Sequence, residues 1–149
     1  MTAALSALDL AARLEKEFPG AIVESNADSL VVDNAKLPDI ASFLKNTPEL
    51  DFDYLTNLTA VDYKEHFELV YHLLSISRNH SLTLKTRCYD RENPTVPSLV
   101  ALWNAADLQE REVYDLFGIV FSGHPNMKRI FLWEGFPGYP LRKDFGDGV

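Results

Sequence analysis

"FELVYHLLSISRNHSLTLKTRCYD", residues 67–90, alternates apolar and polar side chains on both sides of a short polar link. Phe67, Leu69, Tyr71 and Leu73 share one face of an extended chain, because successive strand side chains point to opposite sides. Leu82, Leu84, Thr86 and Cys88 repeat the pattern, with Thr83, Lys85 and Arg87 on the other face. The Ser77–His80 link is short enough for a hairpin turn. This pattern predicts antiparallel strands with one covered face and one more polar face. DYLTNLTAVDY (53–63), rich in Thr, Tyr and Val, reads as a further strand.

Helical signals stand before this sheet. Leu10, Leu14 and Phe18 recur at four-residue spacing and stop at Pro19-Gly20. AIVES and SLVVD flank a short Asn26-Ala27-Asp28 turn and predict a hairpin. LPDIASFLKN (37–46) places Pro38 and Asp39 where a first helical turn favours them, with Ile40, Phe43 and Leu44 as its apolar stripe. Thr47-Pro48 ends it. Helices beside an antiparallel or mixed sheet make an α+β domain. At 149 residues the chain reads as one domain. Residues 1–104 form the α+β core, 105–118 a helix capped by Gly118, and 119–149 a long irregular tail with three prolines and five glycines. Long irregular segments in compact proteins are functional or ordered by partners, and the aromatic content here argues against simple disorder.

Composition excludes several classes of function. The net charge of −8, with 22 acids against 14 bases, opposes phosphate-backbone binding and adhesion to anionic lipid. No run approaches the ~20 apolar residues of a membrane span. The N-terminal stretch lacks a basic region and carries Asp9, so a signal peptide is not expected. Lone Cys88 agrees with a reducing, cytoplasmic compartment and reads as a small buried hydrophobe. One cysteine cannot hold an iron–sulfur cluster, and His66, His72, His80 and His124 show no zinc spacing. No G-x-G-x-x-G, P-loop or G-x-S-x-G is present.

The remaining chemistry lies in EREVYDLFG (110–118). At 100° per residue, Leu108, Glu112 and Asp115 fall on one side of a helix, and Glu110 falls opposite, near Val113 and Phe117. Arg111 stands one turn before Asp115, where an ion pair can form. A free-standing carboxylate enzyme using Glu110, Glu112 and Asp115 is one reading. The other is structural: acids among buried residues require partners, and Lys128, Arg129, Arg142 and Lys143 supply them. The expectation is a lattice of ion pairs that pins the irregular tail against the core or a partner.

E-R-E-V-Y-D-L-F-G-I, followed by F-S-G-H-P, K-R-I and P-L-R-K-D-F, closely resembles the signature of the thirty-kilodalton subunit family of respiratory complex I, which includes the corresponding member of bacterial NADH–quinone oxidoreductases. The resemblance is specific over residues 103–145. It rests on Glu110, Arg111, Glu112, Asp115 and Gly118 in the helix and on Gly123, His124 and Pro125 in the turn. Lys128 and Arg129, then Pro140, Leu141, Arg142, Lys143 and Asp144, complete it in the tail. It implies a non-catalytic peripheral-arm subunit of a proton-translocating complex, on the cytoplasmic side of the cell membrane. This chain would carry no cofactor, while other subunits carry NADH, FMN, iron–sulfur clusters and quinone. The implied partners are the large forty-nine-kilodalton subunit and neighbouring iron–sulfur subunits, with no direct membrane insertion. Related complexes fed by ferredoxin, deazaflavin or hydrogenase modules use a homologous subunit in the same place. The family usually carries Tyr-Pro where this chain has Phe145-Gly146, and with Val149 as the last residue a longer arm around the large subunit is expected to be missing.

Overall fold

A computed structural model describes the backbone of residues 3–4 and the whole of residues 6–133 and 135–143. The elements are β1 (Ala3–Ala4), α1 (Ala7–Glu17), β2 (Ile22–Ser25), β3 (Ser29–Val32), a short 3-10 turn (Asn34–Lys36), α2 (Leu37–Asn46), β4 (Tyr54–Asp62), β5 (Phe67–Ser75), β6 (His80–Cys88), β7 (Thr95–Pro97), α3 (Ala106–Phe117) and β8 (Val120–Ser122). The fold is α+β, with a mixed sheet ordered β2-β3-β6-β5-β4 and β1 also pairing with β6. β4, β5 and β6 form the antiparallel meander that their alternation predicts, with Tyr71 opposite Leu58 and Leu84. β3 of the β2–β3 hairpin lies parallel to β6, which makes the sheet mixed.

Alternation decides the core. Phe67, Leu69, Tyr71 and Leu73 are buried together with Leu82, Leu84, Thr86 and Cys88. Their apolar members share one cluster with Leu10 and Leu14 of α1 and with Leu37, Ile40 and Leu44 of α2. Phe18 and Phe43 are only partly buried and meet edge to face at 5.9 Å, closing the outer rim between the two helices. α1 is capped by Ser6, whose hydroxyl accepts from the Asp9 N–H. Among the described residues no helix is long and apolar enough to cross a membrane.

α3 packs beside β4, an edge strand of the sheet. There the Leu58 N–H donates to Gln109 Oε1 at 2.6 Å, so one outward-facing edge amide is already paired. Phe117, at the end of α3, meets Phe67 of β5 edge to face at 6.3 Å. β7 and β8 pair as a small parallel ribbon, so the segment after Gly118 opens with a short strand before it becomes irregular.

Candidate partner-binding site

The three acids of α3 go to three different places. Glu110 is fully buried: its Oε1 accepts from the Ser98 hydroxyl at 2.5 Å and its Oε2 from the Leu99 N–H at 2.8 Å. Burial pushes the Glu110 carboxyl above its ordinary range, against the pull of these two donors. It secures the turn between β7 and α3 from beneath. The fully buried Tyr71 hydroxyl is likewise pushed well up, by burial and by the Glu110 charge.

Asp115 is also fully buried, but it faces the tail. Its Oδ2 accepts three successive backbone N–H groups, from Ile130 (3.1 Å), Phe131 (2.7 Å) and Leu132 (3.1 Å). One turn earlier, the Arg111 guanidinium donates to the carbonyls of Lys128 (3.1 Å) and Arg129 (3.3 Å). Together the two side chains grip residues 128–132, Arg111 by its carbonyls and Asp115 by its amides. Irregular backbone against a folded core must find partners for these groups, and charged ones form the stronger bonds.

Arg129 continues the clamp. Its side chain is 8% exposed, its Nε lies 3.6 Å from Asp115 Oδ1, and its Nη2 donates to the Gly138 carbonyl at 2.8 Å. The guanidinium lies over the rings of Tyr139 and Phe136, at 4.8 and 5.6 Å. Tyr139 in turn covers Gly118, the left-handed cap of α3 at φ 79°, where an added Cβ would sit 2.7 Å from the ring. Gly118→Ala is therefore expected to cost about 2 kcal/mol through left-handed strain and the displaced ring. Thermal melting should fall by roughly 4–8 °C. An unchanged melting point would show that Tyr139 does not rest on this glycine.

The G-H-P turn is fastened separately. The His124 ring is buried, its Nδ1 accepts from the Asn126 N–H at 2.9 Å, and its Nε2 lies 3.0–3.1 Å from Oδ1 and the carbonyl oxygen of Asp107. That joins the turn to the first turn of α3. Gly123 has φ 84°, and it and Pro125 are exposed.

The end of the tail is held by Asp62, which sequence reasoning did not single out. This aspartate, at the end of β4, is 2% exposed in its side chain and takes a bidentate pair from Arg91 at 2.7 and 3.0 Å. It also accepts from the N–H groups of Lys64 and Lys143, both at 2.8 Å. The Arg91 guanidinium beside it, with the two backbone donors, holds its carboxyl well below the usual carboxylate range despite burial. Arg142 donates to the Arg91 carbonyl at 2.6 Å and lies over Phe67 at 5.1 Å. The Leu141 N–H donates to the Leu116 carbonyl. Pro140 is half-buried, and Asp144, Phe145 and Gly146 lie outside the described residues.

This arrangement bears out one pair of the expected lattice, Asp115 with Arg129, and corrects the rest of it. Arg111 and Asp115 bond tail backbone in place of each other. Glu110 is held by Ser98 and Leu99, and the Lys143 contact to Asp62 runs through its main chain. Lys128 is exposed. Glu112 is exposed too and makes no ion pair among the described residues. The reason is the tail's own backbone, whose unmatched N–H and C=O groups compete for the charged side chains. The carboxylates also converge on no common cleft: Glu112 lines a surface cavity, while Glu110 and Asp115 are turned into protein. Among the described residues no three His, Cys, Asp or Glu side chains are grouped to hold a metal.

With its backbone gripped from one side, the tail shows its large side chains on the other. Phe131 is 63% and Trp133 64% exposed, and Trp133 is braced edge to face by Phe136 at 5.7 Å. Exposed aromatics on a fixed backbone are the anatomy of a protein–protein contact. The fold and site define an α+β domain whose tail, gripped by α3, leaves Phe131 and Trp133 exposed.

Comparison with known proteins gives this class a family. The profile of the respiratory-chain NADH dehydrogenase 30 Kd subunit matches residues 30–147. An NADH-quinone oxidoreductase subunit of Roseiflexus castenholzii is 45% identical over 140 residues, covering 89% of this chain and 80% of the relative. The protein of the same name from Moorella thermoacetica is 46% identical over 136 residues, covering 89% and 90%. Among solved structures, a chain of the membrane-bound sulfane sulfur reductase, an archaeal respiratory membrane complex, superposes with a TM-score of 0.74 at 29% identity, covering 93% of this chain and 84% of that one. This chain belongs to the thirty-kilodalton subunit family of respiratory-chain NADH dehydrogenases.

Proposed function

We propose that the chain is an assembly subunit of the peripheral arm of a proton-translocating NADH–quinone oxidoreductase. In this reading it packs on the forty-nine-kilodalton subunit in the quinone-reducing module, on the cytoplasmic side of the membrane, and carries neither redox cofactor nor catalytic residue. The observation that supports it best is the tail. Arg111 and Asp115 hold residues 128–132 and Asp62 holds Lys143, and Phe131 and Trp133 are left exposed. Ordering these aromatics in advance removes much of the entropy that docking would otherwise cost. The NADH-quinone oxidoreductase relatives at 45–46% identity favour NADH as donor and quinone as acceptor.

A second reading keeps the assembly role but changes the electron donor to ferredoxin, deazaflavin or a hydrogenase module. The 29%-identical chain of the sulfane sulfur reductase favours it, because a related chain stands there in a complex named for different chemistry. One purification tests both. A tagged chain drawn from gently solubilised membranes should bring down the forty-nine-kilodalton subunit, iron–sulfur subunits and an FMN-containing NADH module. Stripped from them by chaotrope, it should be colourless and free of iron, zinc and flavin. Recovery with a different electron-input module selects the second reading. Recovery alone, or with bound iron or flavin of its own, overturns the assembly role.

A further inference from the structure

Between α3 and the edge strand β4 lies a surface cavity of about 200 Å³ that the clamp on the tail does not use. Leu58 and Ala60 of β4, Val113 and Leu116 of α3, and Leu141 of the tail form its apolar walls, and Glu112 stands among them. Leu108, 60% exposed, lies one turn before Glu112 on the same helix face, and Leu141 is 54% exposed.

Three observations restrict what fits here. The volume falls short of the ~300–1,000 Å³ of small-ligand pockets, and the walls offer few polar groups to orient a metabolite, so the space suits one side chain of a larger partner. The Leu58 N–H is already taken by Gln109, so an added β-strand would meet a paired edge there. Third, Glu112 is an acid in an apolar wall without an ion pair among the described residues. Water solvates it while the groove is open. An apolar occupant alone would strip that water and leave a carboxylate unpaired, which is unfavourable. Whatever closes the groove must bring donors for this carboxylate with its apolar side chain, and a Lys or Arg supplies the strongest ones. A second copy of this chain, with the same net charge of −8, is a poor candidate.

We infer that the α3–β4 groove is a second docking point, separate from the aromatic arm, which seats a segment of another subunit. That segment places an aliphatic or aromatic side chain in the cavity and a Lys or Arg against Glu112. The inference rests on the assembly role proposed above and adds the chemistry of one contact to it.

Photo-crosslinking in the intact complex tests it. A benzoylphenylalanine replaces Leu108, one helical turn from Glu112 beside the groove, in one strain and Trp133 on the arm in another. Each tagged complex is gently solubilised, irradiated, and its crosslinked peptides are sequenced. The Leu108 probe is expected to capture a peptide of another subunit with a Lys or Arg within about four residues of an apolar anchor. Glu112→Lys should reduce that crosslink about tenfold and Glu112→Gln less. Changing the captured basic residue to Glu should restore it in the Glu112→Lys strain. Glu112 is exposed, so these changes do not threaten the fold. Crosslinks from Trp133 without any from Leu108 would sink the groove contact and leave the assembly role standing. Capture of a second copy, of a peptide lacking a basic residue, or a crosslink indifferent to Glu112→Lys would do the same. No crosslink from either position overturns both.

Discussion

Asp115→Ala is expected to release the tail from α3 while the sheet stays folded. The substitution removes the acceptor of three consecutive N–H groups and the carboxylate nearest the buried Arg129 guanidinium. Removing one member of a buried charged pair costs about 3–5 kcal/mol, because its partners are left desolvated. That is comparable to the stability that holds a peripheral segment and less than that of most whole domains. The loss should therefore appear locally. Amide exchange at Ile130, Phe131 and Leu132 should rise by about two to four orders of magnitude. Exchange in β5 and β6 should change little. Asp115→Asn keeps one oxygen acceptor without its charge and should fall between the two. Complex recovered with the Asp115→Ala chain should drop in parallel with the lost protection. Unchanged exchange at the three amides would mean that the arm is ordered by something other than this carboxylate.

The history of this one side chain shows what a sequence can disclose. Period-two alternation made the inner faces of β5 and β6 legible, because local chain geometry alone puts Leu69, Tyr71, Leu82 and Leu84 on one side. The parallel pairing of β3 with β6 joins residues about fifty positions apart and leaves no local period to read. On α3, the helical wheel set Glu110 apart on the face of Val113 and Phe117, but it grouped Glu112 with Asp115, of which the first is exposed and the second fully buried. It could not name their partners, since a wheel shows faces and not the backbone that lies against them. The ion-pair lattice was inferred by matching charge to charge. The tail has no regular hydrogen bonding of its own, so its C=O groups drew Arg111, and its N–H groups drew Asp115 alongside the expected pair with Arg129. Glu112 was left in solvent for the same reason.

Asp62 was missed although a signal was present. Leu58, Ala60 and Asp62 fall in one phase of β4, so the aspartate occupies an inward-facing position in an otherwise apolar sequence of sites. An inward carboxylate demands a cation. Arg91 lies 29 residues away, beyond the β5–β6 hairpin in the irregular segment before β7, and only the folded chain brings it near.

Asp62→Ala should be the most damaging change outside α3. The carboxylate ties together the end of β4, the Arg91 segment and the Lys143 amide of the tail, and its loss removes the bidentate acceptor of a largely covered guanidinium. About 3–5 kcal/mol is expected here too, or roughly 6–20 °C in thermal melting for a chain of this size. This damage reaches the fold, because Arg91 also lies over Phe67 in the core, at 4.5 Å. The pH dependence separates the charge from mere packing. The folded-state pKa of Asp62 is depressed, so its ionised form is favoured by folding. The contribution is present in full above the unfolded aspartate value of about 3.9, and it is lost as pH falls through the lower folded value. Asp62→Asn keeps the shape and one acceptor but cannot ionise. Its stability deficit against the native chain should thus stay constant from pH 7 to about 5 and narrow progressively below 4. Denaturant melts across that range measure the gap directly. A deficit that keeps its full size in strong acid would show that Asp62 holds the tail by shape and neutral hydrogen bonds, and not by the charge Arg91 stabilises.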